Sequence, residues 1–231
     1  MNVQGYQKLT LLDFPEHVAC TVFTGGCNLR CPFCHNASLV LTPRVGDNQE
    51  EAVLSYLSGR TGILDGVCIT GGEPLLQPDL SDFVKKVKNM GFAVKLDTNG
   101  SDPDALEALL STGNIDYVAM DIKSSPERYG VAIGKDFPLE RFRRSVEIIR
   151  NSGIPHEFRT TLVKGIHVAE DAEGIGRWLE GEEKYFLQGF VDSGNLLESG
   201  YEALSPEETK AFLETIKKYI PTAQLRGQEG E

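Results

Sequence analysis

The sequence predicts an α/β protein: a partial, six-stranded (β/α) TIM-like barrel of parallel strands, open on one side. Apolar strand-like runs alternate with amphipathic helical ones along the chain, the pattern of βα units around a parallel sheet. Six such units are present, too few to close an eight-stranded barrel. Residue groups suited to chemistry also follow the apolar part of several strands, as they do at the C-terminal ends of barrel strands.

The predicted strands are His17–Phe23, Val67–Thr70, Ala93–Asp97, Tyr117–Ile122, Glu157–Leu162 and Lys184–Phe190. Between and after them the periodicity predicts helices over about Asn48–Ser58, Asp79–Asn89, Pro103–Ser111, Leu139–Ser152, Ala169–Leu179 and Pro206–Tyr219. Pro103 follows Asp102 and Pro206 follows Ser205, each a proline at the first helical position behind a capping residue. Gly91 and Gly153 stand where helices should end. No linker interrupts this pattern, so residues 1–225 read as a single domain and 226–231 as a polar, disordered tail.

Length and composition fit that reading. The chain has 231 residues, enough for a substantial core, and is 40% hydrophobic without a low-complexity block. No apolar run approaches the length that crosses a bilayer and no signal-like start is visible, so a cytoplasmic protein is expected. With 34 acidic against 23 basic residues, the net charge of −11 opposes tight binding to a nucleic-acid backbone. The basic clusters Lys85-Lys86-Val-Lys88 and Arg141-Phe-Arg143-Arg144 fall in helical patterns and read as solvated helix faces.

The stretch Thr24 to Asn36 carries the sharpest chemical signal. It spaces Cys27, Cys31 and Cys34 as C-x3-C-x2-C just after the first strand. Three thiolates so close in sequence can wrap one soft metal centre. A structural zinc and a four-iron cluster each have four positions to fill, and His35 is poorly placed to close the same loop. A [4Fe–4S] cluster with one iron open to a small molecule is therefore expected. A zinc knuckle borrowing a distant histidine remains the alternative. Disulfides are disfavoured by five cysteines and the expected compartment.

Four further groups follow strands. Gly71-Gly72-Glu73 combines approachable backbone with a carboxylate that could accept from an ammonium, though a tight turn would read the same way. Asp97-Thr98 offers a carboxylate and a hydroxyl before the turn signal Asn99-Gly100. Asp121 and Lys123 share a strand face by period two and could be a structural ion pair or a slot for a zwitterion. Arg159, within an apolar strand, requires a partner, and a carboxylate ligand would suit its planar fork. Cys20 and Cys68 read as core thiols, Trp178 as core, and Asp192–Asn195 as a loop able to gate the barrel mouth.

The cysteine spacing resembles the signature of radical S-adenosylmethionine (SAM) enzymes. The continuation His35-Asn36 is similar to that of activases of glycyl-radical enzymes. Gly5-Tyr6-Gln7-Lys8 and Leu12-Asp13-Phe14-Pro15 resemble the start of anaerobic ribonucleoside-triphosphate reductase activating proteins; where that branch reads Tyr-Pro-Gly, this chain reads Phe14-Pro15-Glu16. The resemblance implies a [4Fe–4S] cluster on Cys27, Cys31 and Cys34, and SAM contacts from Phe33, Asn36, Gly71, Gly72, Glu73, Asp97, Thr98, Asp121, Lys123 and Arg159. It also implies room for a monovalent cation near Asp97 and Asp121. The implied reaction is one-electron cleavage of SAM to a 5′-deoxyadenosyl radical that takes a hydrogen from a glycine of a partner enzyme, most closely an anaerobic ribonucleotide reductase. A flavodoxin- or ferredoxin-like protein would donate the electron. Gln188, where many pyruvate formate-lyase activases carry histidine, points the same way. The alternatives are a pyruvate formate-lyase-type activase, a radical SAM enzyme acting on a small molecule, and a structural zinc-binding module.

Overall fold

The computed structural model describes residues 1–41, 43 and 49–227. The predicted helix start at Asn48 and tail residues 228–231 lie outside the described residues. Among the described residues the strands follow one another in the sheet in chain order: β1 (Val3–Thr10), β2 (Ala19–Thr24), β3 (Gly66–Gly71), β4 (Ala93–Thr98), β5 (Tyr117–Asp121), β6 (His156–Leu162), β7 (Tyr185–Gly189) and β8 (Gln224–Arg226). β1 runs antiparallel to β2, while β2, β3 and β4 are mutually parallel, as are β6, β7 and β8. The six expected strands are β2 to β7, and β1 and β8 extend the order at its two ends.

Neither added strand shows a strong pattern. β1 mixes Gly5 with Gln4, Gln7 and Lys8 and exposes three successive residues, so it lacks a clean alternation. β8 has only three residues, and it includes Arg226, which the sequence analysis places in the tail. β2 starts at Ala19 rather than His17 because the chain first turns: the His17 N–H donates to the Phe14 carbonyl at 3.1 Å.

The chain forms two compact units. The first comprises Met1–Asn28, Ser38–Ala119 and Glu140–His156, and the second Leu29–Ala37, Met120–Leu139 and Glu157–Glu231. The helices include α1 (Ala37–Leu41), α2 (Glu50–Ser58) and α5 (Tyr129–Ile133), and in the first unit α3 (Leu80–Asn89) buries Leu80, Phe83, Val84 and Val87, one stripe at helical spacing. Each such side chain contributes about 1.5–3 kcal/mol when fully buried. The opposite face carries the lysine cluster, with Lys86 on Glu50 at 2.8 Å and Lys88 on Asp116 at 2.7 Å. α4 (Pro103–Leu110) is capped by the Asp102 side chain, which accepts from the Ala105 N–H. α6 (Leu139–Asn151) buries Phe142, Ser145, Val146 and Ile149, and its Arg144 pairs with Asp104 and Glu107. Both basic clusters thus sit on helices, with Lys86, Lys88, Arg141 and Arg144 paired to carboxylates.

In the second unit, α7 (Ala169–Trp178) precedes β7 and α8 (Pro206–Ile216) precedes β8. α8 opens with a reciprocal capping box between Ser205 and Glu208. Trp178 is half-buried and meets Tyr129 edge-on at 5.7 Å. Cys20 and Cys68 are buried in β2 and β3; burial pushes the Cys20 thiol up to about 12, and no partner cysteine is bonded to either.

Candidate active site

The ends of β2, β3 and β4 form the part of the site in the first unit. The Gly72 N–H donates to the Thr24 carbonyl at 2.9 Å, and the Glu73 N–H donates to the Gly26 carbonyl at 2.8 Å. The entrance of the cysteine loop is thereby zipped onto the glycine turn. A Cβ on Gly72 would stand 2.0 Å from the Gly26 oxygen, and one on Gly71, at φ 117°, would stand 2.3 Å from the Thr24 nitrogen. Both glycines are required by the approach of backbone to backbone.

Glu73 is fully buried, and its carboxylate serves the protein itself. It accepts from the Thr98 hydroxyl at 2.8 Å, the Asn99 N–H at 2.7 Å and the Leu75 N–H at 3.1 Å. Asn99 in turn points its side-chain amide at Cys27, 3.7 Å from Sγ, and at the Asn28 side chain, 3.3 Å away. Asp97 pairs with the ammonium of Lys95, a residue 1% exposed and two positions earlier on the same face of β4. Neither Asn99 nor Lys95 stands out in the sequence as a site residue. Asn-Gly reads as a turn, but the period-two logic that joins Asp121 to Lys123 would also have joined Lys95 to Asp97.

Cys31, Phe33, Cys34 and Asn36 belong to the second unit, with the ends of β5 and β6. Lys123 donates to one Asp121 carboxylate oxygen at 3.0 Å, and Arg159 engages the other through Nε at 3.0 Å and a terminal nitrogen at 2.9 Å. Burial would raise the Asp121 carboxyl, but Arg159 and Lys123 outweigh it and hold it below the usual carboxylate range. Burial likewise opposes the charge on Lys123, yet Asp121, with Cys31 and Cys34 near it, holds its ammonium above the ordinary lysine value. A fixed cation therefore accompanies two of the three loop cysteines.

The Lys123 backbone is gripped from both sides. Its N–H donates to the Tyr129 hydroxyl at 3.3 Å. His167 accepts from the Val163 N–H at Nδ1, so its Nε2 carries the proton and donates to the Lys123 carbonyl at 2.9 Å. Burial keeps His167 below the ordinary histidine value, which preserves that neutral form. The same ring meets Phe33 edge-on at 6.2 Å. Sequence reading gives His167 no role because its partners are backbone atoms.

The segment Ser193–Glu198 runs along the cysteine loop. Leu197 donates its N–H to the Cys34 carbonyl at 3.2 Å, Glu198 donates to the Pro32 carbonyl at 2.9 Å, and Asn195 accepts from Ala37 at 3.2 Å. The stretch expected to gate the mouth thus leads into a strap that braces the loop.

Among the described residues no three His, Cys, Asp or Glu side chains converge on one point as they would around a single ion. Three cysteines from one short loop are the donor type a [4Fe–4S] cluster takes, one thiolate to a corner. Cys27, Cys31 and Cys34 are all free of disulfides, lie in one short loop, and have an amide donor beside Cys27 and a cation beside Cys31 and Cys34. Such donors and charges stabilise thiolate ligation.

Comparisons with known proteins give the family. The family model described as the radical SAM superfamily matches residues 21–178. A glycyl-radical enzyme activating enzyme of Methanocaldococcus jannaschii is 29% identical over 99% of this chain and 97% of its own length. The pyruvate formate-lyase-activating enzyme of Listeria monocytogenes is 30% identical over 81% of this chain and 89% of its own. Among solved structures, Streptococcus suis SuiB bound to S-adenosylmethionine shares the fold with a TM-score of 0.69 at 13% identity, covering 88% of this chain. This chain spans about half of the SuiB chain, 49%. Among the described residues no helix is long and apolar enough to cross a membrane. The chain belongs to the radical SAM superfamily and, within it, groups with the glycyl-radical-enzyme activating enzymes.

Proposed function

We propose that this chain activates an anaerobic ribonucleoside-triphosphate reductase in the cytoplasm, by forming a glycyl radical on it with SAM and a [4Fe–4S] cluster. The observation that carries the reading is the Lys123–Asp121–Arg159 network at the ends of β5 and β6, in which one carboxylate is held between two cations. Cys27, Cys31 and Cys34 would hold three irons. When bound, the reduced cluster supplies the single electron that cleaves SAM.

The chain's own residues bind and orient. The guanidinium of Arg159 is suited to the carboxylate of SAM, and Asp121, itself held by Lys123, orients that guanidinium. Phe33 and Asn36 flank the third cysteine and would line the same pocket. Gly71 and Gly72 present backbone, while Glu73 and Thr98 fix the turn that carries them. Asp97 acts through its pair with Lys95. A monovalent cation near Asp97 and Asp121 would have to share carboxylates already paired with Lys95, Lys123 and Arg159, so we assign none.

Support for the reductase as partner comes from the Gly5–Pro15 text and from Gln188. Identity to the pyruvate formate-lyase-activating enzymes of Listeria monocytogenes and, at 32%, Clostridium pasteurianum favours a second reading with that lyase as partner. A flavodoxin- or ferredoxin-like protein would supply the electron in either case.

The test is anaerobic reconstitution with iron and sulfide, reduction by dithionite, and chromatography of 5′-deoxyadenosine after incubation with SAM. Cys31→Ala is the control. Cluster-dependent 5′-deoxyadenosine supports the reading, and a glycyl radical by EPR on the reductase, but not on the lyase, selects the partner. Absence of iron uptake would sink it in favour of a zinc module.

A further inference from the structure

The last strand places a charge that none of the readings above uses. Arg226, at the end of β8, grips Glu157 of β6 with both terminal nitrogens, each 2.9 Å from its own carboxylate oxygen. Its guanidinium also lies flat on the Phe186 ring of β7, 3.3 Å from the centroid. Glu157 is 1% exposed and stands two residues before Arg159 on the same face of β6. One Arg159 nitrogen lies 3.9 Å from Glu157, while the remainder of its fork holds Asp121.

The result is a line of alternating charge: Arg226, Glu157, Arg159, Asp121, Lys123. Glu157 stands between two guanidiniums, and the bidentate grip of Arg226 satisfies both its oxygens. If Arg226 is removed, the buried Glu157 carboxylate loses the two hydrogen bonds that occupy its oxygens. The cation next to it on the strand is Arg159, and their attraction, in a poorly screened interior, would draw that guanidinium away from Asp121.

We propose that Arg226 is a positioning residue: by engaging Glu157, it leaves Arg159 directed at Asp121 and available to an anionic ligand group. The proposal rests on the reading of Arg159 as a contact for the carboxylate of SAM.

The experiment uses cluster-loaded protein and measures SAM binding by anaerobic equilibrium dialysis, with thermal unfolding alongside. Arg226→Met is expected to weaken SAM binding about tenfold. Adding Glu157→Gln removes the charge that competes for Arg159, so the double variant should bind SAM within about threefold of wild type although the Arg226 contacts, and with them part of the thermal stability, stay lost. A merely structural role predicts no such rescue. Should Arg226→Met fail to fold, Arg226→Lys keeps the charge but loses the fork, and about threefold weaker binding is expected. Unchanged affinity in the Arg226 variants, or no recovery in the double variant, overturns the proposal while leaving the SAM reading intact. Wild-type protein that takes up its cluster yet binds no SAM overturns that reading and the proposal together.

Discussion

The carboxylate of Glu73 accepts a 2.7 Å hydrogen bond from the backbone N–H of Asn99, tying the end of β3 to the end of β4. The other carboxylate oxygen is shared by the Thr98 hydroxyl and the Leu75 N–H. Replacing Glu73 with glutamine puts an NH2 group opposite one of these donors and leaves a buried amide unsatisfied. Glu73→Gln should therefore lose about 1–3 kcal/mol of stability, read as a lower denaturant midpoint with unchanged slope. Unaltered stability would mean that these bonds contribute nothing net.

The turn before Glu73 makes a sharper demand. A methyl on Gly72 would lie 2.0 Å from the Gly26 carbonyl oxygen, with backbone rather than a flexible side chain in the way. Gly72→Ala should push the two loops apart and destabilise the protein by more than about 3 kcal/mol, a value reserved for backbone or core disruption. Gly5, whose added Cβ meets nothing within 4 Å, supplies the control substitution.

How far these features are legible in sequence depends on the range of the interaction. Leu80, Phe83, Val84 and Val87 announce a buried helix face because their spacing is local. Asp121 and Lys123 announce a shared strand face for the same reason. What sequence conceals is pairing between groups far apart in the chain: the Gly72 to Thr24 bond, His167 on the Lys123 carbonyl, and Arg226 on Glu157. A histidine whose partners are main-chain atoms has no side-chain signature, and a three-residue strand is too short to show a period.

Asp121 should leave its mark on the acid side of the stability profile. The folded state holds its carboxyl below the ordinary value of 3.8, despite burial, through Arg159 and Lys123. A depressed folded value adds stability at pH above the unfolded one, and that stability is lost as pH falls through the folded value. Asp121→Asn should be less stable than wild type at neutral pH, with the gap narrowing below about pH 4. Parallel curves across that window would show that the network adds no pH-linked stability.

The strap beside the cysteine loop can be tested through its backbone. Glu198 donates its N–H to the Pro32 carbonyl at 2.9 Å, so Glu198→Pro deletes the donor while Glu198→Ala keeps it. In reconstituted protein, iron loss to a chelator should be roughly tenfold faster for the proline variant than for the alanine one, the equivalent of one hydrogen bond bracing the ligand loop. Equal rates would show that the strap does not hold the loop.

Glu16 provides the last expectation, and it bears on the departure from the Tyr-Pro-Gly pattern. The turn Phe14–His17 closes with a hydrogen bond from the His17 N–H to the Phe14 carbonyl, and Glu16 occupies its third position at φ 65°. Among the described residues it is the one non-glycine with a positive φ. Proline second and a left-handed residue third is the pattern of a type II turn, which favours glycine there because a Cβ is strained. Glutamate at this place costs about 1–2 kcal/mol of strain, offset by roughly 0.5–1 kcal/mol because glycine loses more entropy on folding. Glu16→Gly should raise stability by about 0.5–1 kcal/mol. A loss of stability instead would show that the Glu16 side chain makes a contact worth more than the strain it imposes.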